Sequence, residues 1–175
     1  MSNAFKKASE IEKLAEADVL PFMENAYPQC TYYPTRHHLL IQKTCGDFLA
    51  RHRRDFAEYV ELKAEEANLY GNLFLETWSN KSRRTPGWML TCTADWLWYY
   101  FVNNRELYLV PFANLTEWAK QRMFDFPEKP QGKYAQLNDT WGRCVPISVL
   151  LNEIKTFTGP FDPLQRNGSR RKRTG

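Results

Sequence analysis

The chain has 175 residues, 43% hydrophobic, 25% charged and 15% aromatic, a composition that fits one domain with an aromatic-heavy core. Its longest apolar run, Trp96–Val102, is far short of the roughly 20 residues a bilayer helix needs, and Glu10, Glu12 and Glu16 follow Lys6 and Lys7 where a secretory leader would be apolar, so a cytoplasmic protein without membrane contact is expected. The net charge of +4 is uneven: the last ten residues hold five cations and no acid, which leaves −1 on the other 165.

Ser9-Glu10-Ile11-Glu12 has the capping-box pattern, and Ile11, Leu14, Ala15, Val19, Phe22 and Met23 recur near helical spacing, which predicts a helix over 9–26 that Pro21 kinks or divides. From Thr31 to Trp78 the texture becomes β-branched, aromatic and alternating, and three successive strands are expected at 38–51, 56–64 and 72–78. Asn80–Pro86 is a polar, basic loop. Trp88–Thr93 suits a helical turn, and Asp95 heads an aromatic run, Ala94–Val102, that reads as a strand buried on both faces. A strand follows at 107–112, then a helix from Asn114 to about Arg122, an exposed loop at 127–132, and a short strand turning into a final helix within 145–157. The order α, then β, then mixed β and α predicts an α/β or α+β layered fold over residues 1–165. Residues 166–175 read as a disordered basic tail, in which Arg170, Arg171, Lys172 and Arg173 would attract phosphate backbones.

Cys30, Cys45, Cys92 and Cys144 have no metal-ligand spacing and read as reduced, buried thiols, and His37, His38 and His52 form no triad. The informative stretch is Gly46-Asp47-Phe48 followed by Tyr59-Val60-Glu61-Leu62-Lys63-Ala64. Alternation along a strand places Glu61 and Lys63 on one face and Val60, Leu62 and Ala64 on the other. Pairing the two segments through the turn at 51–55 would bring Asp47 beside Glu61. Two carboxylates and an ammonium at one rim of a sheet suit metal-assisted phosphodiester hydrolysis. Mg²⁺ or Mn²⁺ would be held by Asp47 and Glu61, with the Leu62 carbonyl as a third ligand and Lys63 facing the nucleophile. A cation there is expected to depress the Lys63 pKa.

In this order and spacing the chain resembles the PD-(D/E)xK nuclease superfamily, the restriction-endonuclease-like fold that includes Holliday junction resolvases. Asp47 matches the metal-binding Asp of the second strand and Glu61-Leu62-Lys63 the (D/E)xK of the third, over about residues 9–122. The resemblance implies an α-β-β-β-α-β core with a central mixed sheet flanked by helices, an Mg²⁺- or Mn²⁺-dependent nuclease and a DNA substrate. Gly46 stands where the family has Pro, and Asp55, the rival acid, falls in the hairpin turn. Family members often carry a further Glu on the first helix, matched here by Glu12 or Glu16, with Glu16 preferred. Glu76 interrupts the apolar strand after the motif, where a carboxylate is costly unless it is paired with Lys63, Arg83 or Arg84 or linked to the metal. Lys81, Arg83 and Arg84 of the basic loop could track a phosphate backbone, and Trp88 could stack a base.

No second domain supplies sequence recognition, so structure-selective or weakly specific cleavage is expected, RNA is the lesser substrate, and a homodimer is a candidate assembly. A nuclease fold that binds nucleic acid or a partner without cleaving is the alternative.

Overall fold

A computed structural model describes residues 3–53, 56–131 and 138–165. The fold is mixed α/β, with a central mixed sheet flanked by helices on one side and by a second sheet with helices on the other. Helix α1 (Asn3–Ala26) begins before Ser9, so the capping box lies inside it, and Pro21 is accommodated in its last turns. Ala15, Val19 and Met23, spaced four apart, bury one stripe of α1 against the central sheet.

That sheet has six strands in the order β1 (Cys30–Pro34), β2 (Phe48–His52), β3 (Ala57–Glu65), β6 (Trp96–Phe101), β7 (Glu106–Pro111) and β10 (Thr158–Phe161). All neighbours are antiparallel except β3 and β6, which run parallel and in register from Val60↔Trp96 to Glu65↔Phe101. Asp95 ties the start of this pair, because its carboxylate accepts the Tyr59 N–H at 2.7 Å. The aromatic strand β6 is central, as its composition predicts. Trp98 and Tyr100 pack toward α1, while Leu97, Tyr99 and Phe101 pack toward the second layer.

Several elements differ from the sequence reading. The expected strand at 38–51 divides into the short helix α2 (Leu39–Cys45) and β2. The edge strand β1 precedes it, so the three-strand meander starts one strand earlier, and His37 and His38 lie in a turn. The segment expected as the third strand, β4 (Asn72–Asn80), leaves the central sheet altogether. It joins β5 (Thr85–Pro86), β8 (Glu128–Pro130) and β9 (Trp141–Pro146) in an antiparallel sheet ordered β5-β4-β9-β8. Leu73, Leu75 and Val145 of that sheet meet α3 (Trp88–Thr91), α4 (Phe112–Arg122) and α5 (Ile147–Glu153) in the larger core. Helix α4 starts at Phe112, ahead of Asn114, and β8 occupies part of the loop expected at 127–132. The last helix is followed by β10. Asp55 and the basic tail with Arg170, Arg171, Lys172 and Arg173 lie outside the described residues.

The second sheet is pinned to the β4–β5 turn by Glu128. Its carboxylate pairs with Lys81 at 2.5 Å and accepts the Thr77 hydroxyl (3.0 Å) and the Trp78 indole N–H (3.1 Å). The Lys81 hydrogen bond, above all, holds Glu128 below the usual glutamate value of 4.5. An acid with a depressed folded-state pKa contributes stability that is complete above its unfolded value and is lost as pH falls through the folded one. Glu128→Gln is therefore expected to cost about 1 kcal/mol at pH 7, a figure limited by solvent screening of a partly exposed pair. Denaturant midpoints of variant and wild type should converge as the pH drops below the carboxylate range. A gap that stays constant with acidification would refute this role for the pair.

Candidate active site

Asp47, the residue before β2, is placed by its backbone. Its N–H donates to the Val60 carbonyl at 2.8 Å, and its own carbonyl accepts the Thr35 N–H at 2.9 Å. Its carboxylate reaches across to β3, where Oδ2 accepts the Leu62 N–H at 3.0 Å, and Oδ1 accepts Gln42 Nε2 from α2 at 3.3 Å. Because β2 begins only at Phe48, opposite Val60, the β3 edge beyond that point carries no partner strand on this side among the described residues. The N–H and carbonyl of one strand residue point to the same edge, so the Leu62 carbonyl opens on the side where Asp47 sits.

Glu61 and Lys63 share the β3 face that looks toward the second layer, in register with Leu97 and Tyr99. They pair at 2.5 Å between Glu61 Oε1 and Lys63 Nζ. The Glu61 side chain is 8% exposed and that of Lys63 31%, so Lys63 is the more exposed member of the pair. Burial pushes the Glu61 carboxyl up; Lys63 pulls it back, and Asp47 and Glu76 add to the rise. Burial pulls Lys63 down, yet Glu61, Asp47 and Glu76 outweigh it and leave its pKa above the usual 10.5. With the protein groups alone Lys63 is thus held more firmly protonated, opposite in direction to the depression expected from a neighbouring cation.

Glu76 comes from β4 to the same place. Its Oε1 accepts the Trp88 N–H at 3.3 Å, burial raises its carboxyl, and Lys63 lowers it. The cation whose charge acts on it is Lys63, not Arg83 or Arg84, but Lys63 makes its ion pair with Glu61. Trp88 is half-buried, packs on Phe112 at 6.2 Å between ring centroids, and sits 5.4 Å from Lys63 Nζ. It walls the site and supports the ammonium instead of presenting a free face to a base.

Of the two candidate glutamates on α1, Glu12 is the one within electrostatic reach of Lys63 and Asp47. Partial desolvation raises its carboxyl, Lys63 lowers it, and Asp47 and Glu16 raise it further. Glu16, the preferred residue on sequence grounds, pairs instead with Arg36 at 3.1 Å. One helical turn separates them, and the angle at which α1 crosses the sheet decides between them. Lys81 is likewise diverted from the role first assigned to it, since its ammonium pairs with Glu128 and lies 3.9 Å from the Trp141 ring centroid. Arg83 and Arg84 remain exposed at the β4–β5 turn. Gln42 and Cys92 carry no sequence signal. Gln42 steadies Asp47, and the Cys92 thiol is pushed up to about 11, first by burial and then by Glu61.

Among the described residues no set of three or more His, Cys, Asp or Glu side chains is arranged to enclose a metal ion. The donors nearest one another are hard oxygens: the Asp47 carboxylate, the Glu61 carboxylate that its charge pushes up, and the Leu62 carbonyl on the open strand edge. That set fits Mg²⁺ or Mn²⁺, which bind through one or two carboxylates and keep several waters, and does not fit a thiolate-seeking metal. No helix among the described residues is long and apolar enough to cross a membrane. Comparison of the chain with family models, curated proteins and solved structures returned no match.

Proposed function

We propose that the protein is a divalent-metal-dependent nuclease that hydrolyses phosphodiester bonds in DNA, with Asp47, Glu61 and the Leu62 carbonyl as metal ligands and Lys63 as the catalytic ammonium. One observation carries this reading: Asp47 accepts the Leu62 N–H at the open β3 edge, and its charge acts on both members of the Glu61–Lys63 pair on the adjoining face. The meander β1–β2–β3 with α1 across one face and β6 parallel to β3 supports reading an α-β-β-β-α-β core in which α2 is inserted between β1 and β2, β4 and β5 turn out to the second sheet, and α3 is taken as the second helix. In that order Asp47 heads the second strand and Glu61-Leu62-Lys63 lies on the third, as the resemblance to PD-(D/E)xK nucleases implies.

A bound Mg²⁺ or Mn²⁺ would polarise a phosphodiester oxygen and acidify a water. The protein's own groups do the rest. Glu61 fixes Lys63 in position, so the ammonium meets the negative charge that builds on the phosphoryl oxygens without reorganising first. Glu76 and Trp88 restrict where that ammonium can swing. Glu12, in electrostatic reach of Lys63, is a candidate to hold a further water at the α1 side of the edge.

The buried Glu61–Lys63 pair also favours a second reading, in which it is a structural ion pair of a binding protein that does not cleave. Incubation of the chain with linear, supercoiled, branched and single-stranded DNA, and with RNA, in Mg²⁺, Mn²⁺ or chelator separates the two. The nuclease reading expects DNA products that require the metal. Salt-sensitive binding without products under any divalent ion would overturn it.

A further inference from the structure

Helix α2 is anchored on one side only. It lies in the 35–47 excursion between β1 and β2, which is closed at its base by the Thr35 N–H to the Asp47 carbonyl (2.9 Å) and the Thr35 hydroxyl to the Gly46 carbonyl (2.6 Å). Gln42 bonds Asp47, and the Thr44 carbonyl accepts both the N–H (2.7 Å) and the hydroxyl (2.8 Å) of Thr93, beyond α3. These polar ties fix α2 at the mouth of the candidate site.

Among the described residues nothing covers the other side of α2. None of its residues is buried, and Leu39 and Leu40 are 67% and 77% exposed. A seven-residue helix has little stability of its own, and two leucines left in water forgo the burial that leucines ordinarily gain. The charge around them is one-sided. From Thr31 to Gly46 there is no acid, while the cations Arg36 and Lys43 are exposed, Arg36 being shared with Glu16. An exposed apolar pair framed by cations complements a polyanion whose bases are accessible; an intact duplex covers its bases, and phosphates alone would leave the leucines unused.

Resting on the nuclease reading for the neighbouring site, we propose that Leu39 and Leu40 form a wedge that inserts at a discontinuity in duplex DNA, unstacking the base step next to the bond to be cut. The substrate class is then forked, branched or frayed DNA, at which the unstacking cost is smallest, in preference to continuous duplex. Gln42 links the wedge to Asp47, so the distance from the opened step to the cleaved phosphate is set by the 35–47 excursion.

The test is run in chelator, so that it does not depend on cleavage. Forked and continuous duplexes carrying 2-aminopurine at the branch position are titrated with the full chain, reading fluorescence for unstacking and anisotropy for affinity. The wild type should bind the fork about tenfold more tightly than the duplex, a preference of the size one buried leucine supplies, and raise the fluorescence. Leu39→Ser/Leu40→Ser should lose both effects while keeping duplex affinity within about twofold, and Leu39→Met/Leu40→Met should restore them. Circular dichroism confirms that each variant is folded. An unchanged fluorescence response in the serine variant overturns the wedge. So does a wild-type dimer that the serine variant converts to monomer without altering base unstacking. A wedge signal in a protein that cleaves nothing would keep this inference and reject the nuclease reading; cleavage without the signal would do the reverse.

Discussion

Lys63→Met is expected to lower cleavage by about 10²–10³-fold, the scale of losing one preorganised charge donor at a reacting centre, and to cost more stability than its partner's replacement. The asymmetry follows from burial. Removing Lys63 strands a carboxylate whose side chain is only 8% exposed, next to Asp47 and Glu76, and stranding a buried charge costs roughly 3–5 kcal/mol. For a chain of this length that is a fall in Tm of about 10 °C. Glu61→Gln leaves a Lys63 whose charge Asp47 and Glu76 still offset, so the expected loss is nearer 1 kcal/mol. Divalent cations make the decisive contrast. Mg²⁺ or Mn²⁺ at 100 times its Kd adds about 2.7 kcal/mol to a protein that binds it only when folded. Wild type and Lys63→Met should gain that increment, whereas Asp47→Asn and Glu61→Gln should not. If Lys63→Met melts low and no divalent ion raises any of the four proteins, the pair is structural and the catalytic assignment fails.

What the sequence makes legible is whatever alternation and local spacing decide. Glu61 and Lys63 share a face because the strand period is two, and the β2–β3 hairpin follows from two apolar runs around a polar turn. The aromatic strand β6 announces double-sided burial through its composition alone. Non-local pairings stay hidden. Leu73, Leu75 and Thr77 of β4 read equally well in either sheet, and the choice depends on β9, some 70 residues away, setting Val145 opposite Leu73 and Arg143 opposite Leu75. Leu39-Leu40-Ile41 looks like a strand because apolar runs of that length are ambiguous. It coils because both ends of the excursion are tied by tertiary hydrogen bonds that no local window contains. The edge strands β1 and β10 escape notice for a related reason, since Tyr33, Pro34 and Phe161 are exposed and carry little of the burial pattern that marks a core strand. Glu12 against Glu16 turns on how α1 lies across the sheet, and helical spacing alone leaves both on one face.

Gly46 is where the departure from the family pattern has a physical cost attached. Its backbone has φ 122° and ψ −177°, a region that is essentially glycine-only, and a Cβ there would stand 2.5 Å from the Val60 carbonyl oxygen, 2.8 Å from its carbon and 3.0 Å from the Glu61 nitrogen. All three are main-chain atoms of β3, so no side chain can turn aside to make room. The same Val60 carbonyl accepts the Asp47 N–H, and the Gly46 carbonyl accepts the Thr35 hydroxyl. Gly46→Ala should therefore lose about 1–3 kcal/mol to backbone strain alone and push Asp47 away from the Leu62 N–H. Gly46→Pro, which writes the family's Pro-Asp pair into this chain, should be worse. The ring fixes φ near −65°, on the opposite side of the map from the value this turn uses. Both variants should lose the divalent increment in Tm along with their stability, since the turn that seats Asp47 is the turn the glycine makes possible. A Gly46→Pro protein as stable as the wild type, and as responsive to Mn²⁺, would mean that Asp47 reaches its position by a different backbone path and that its bond to Leu62 does not organise the site.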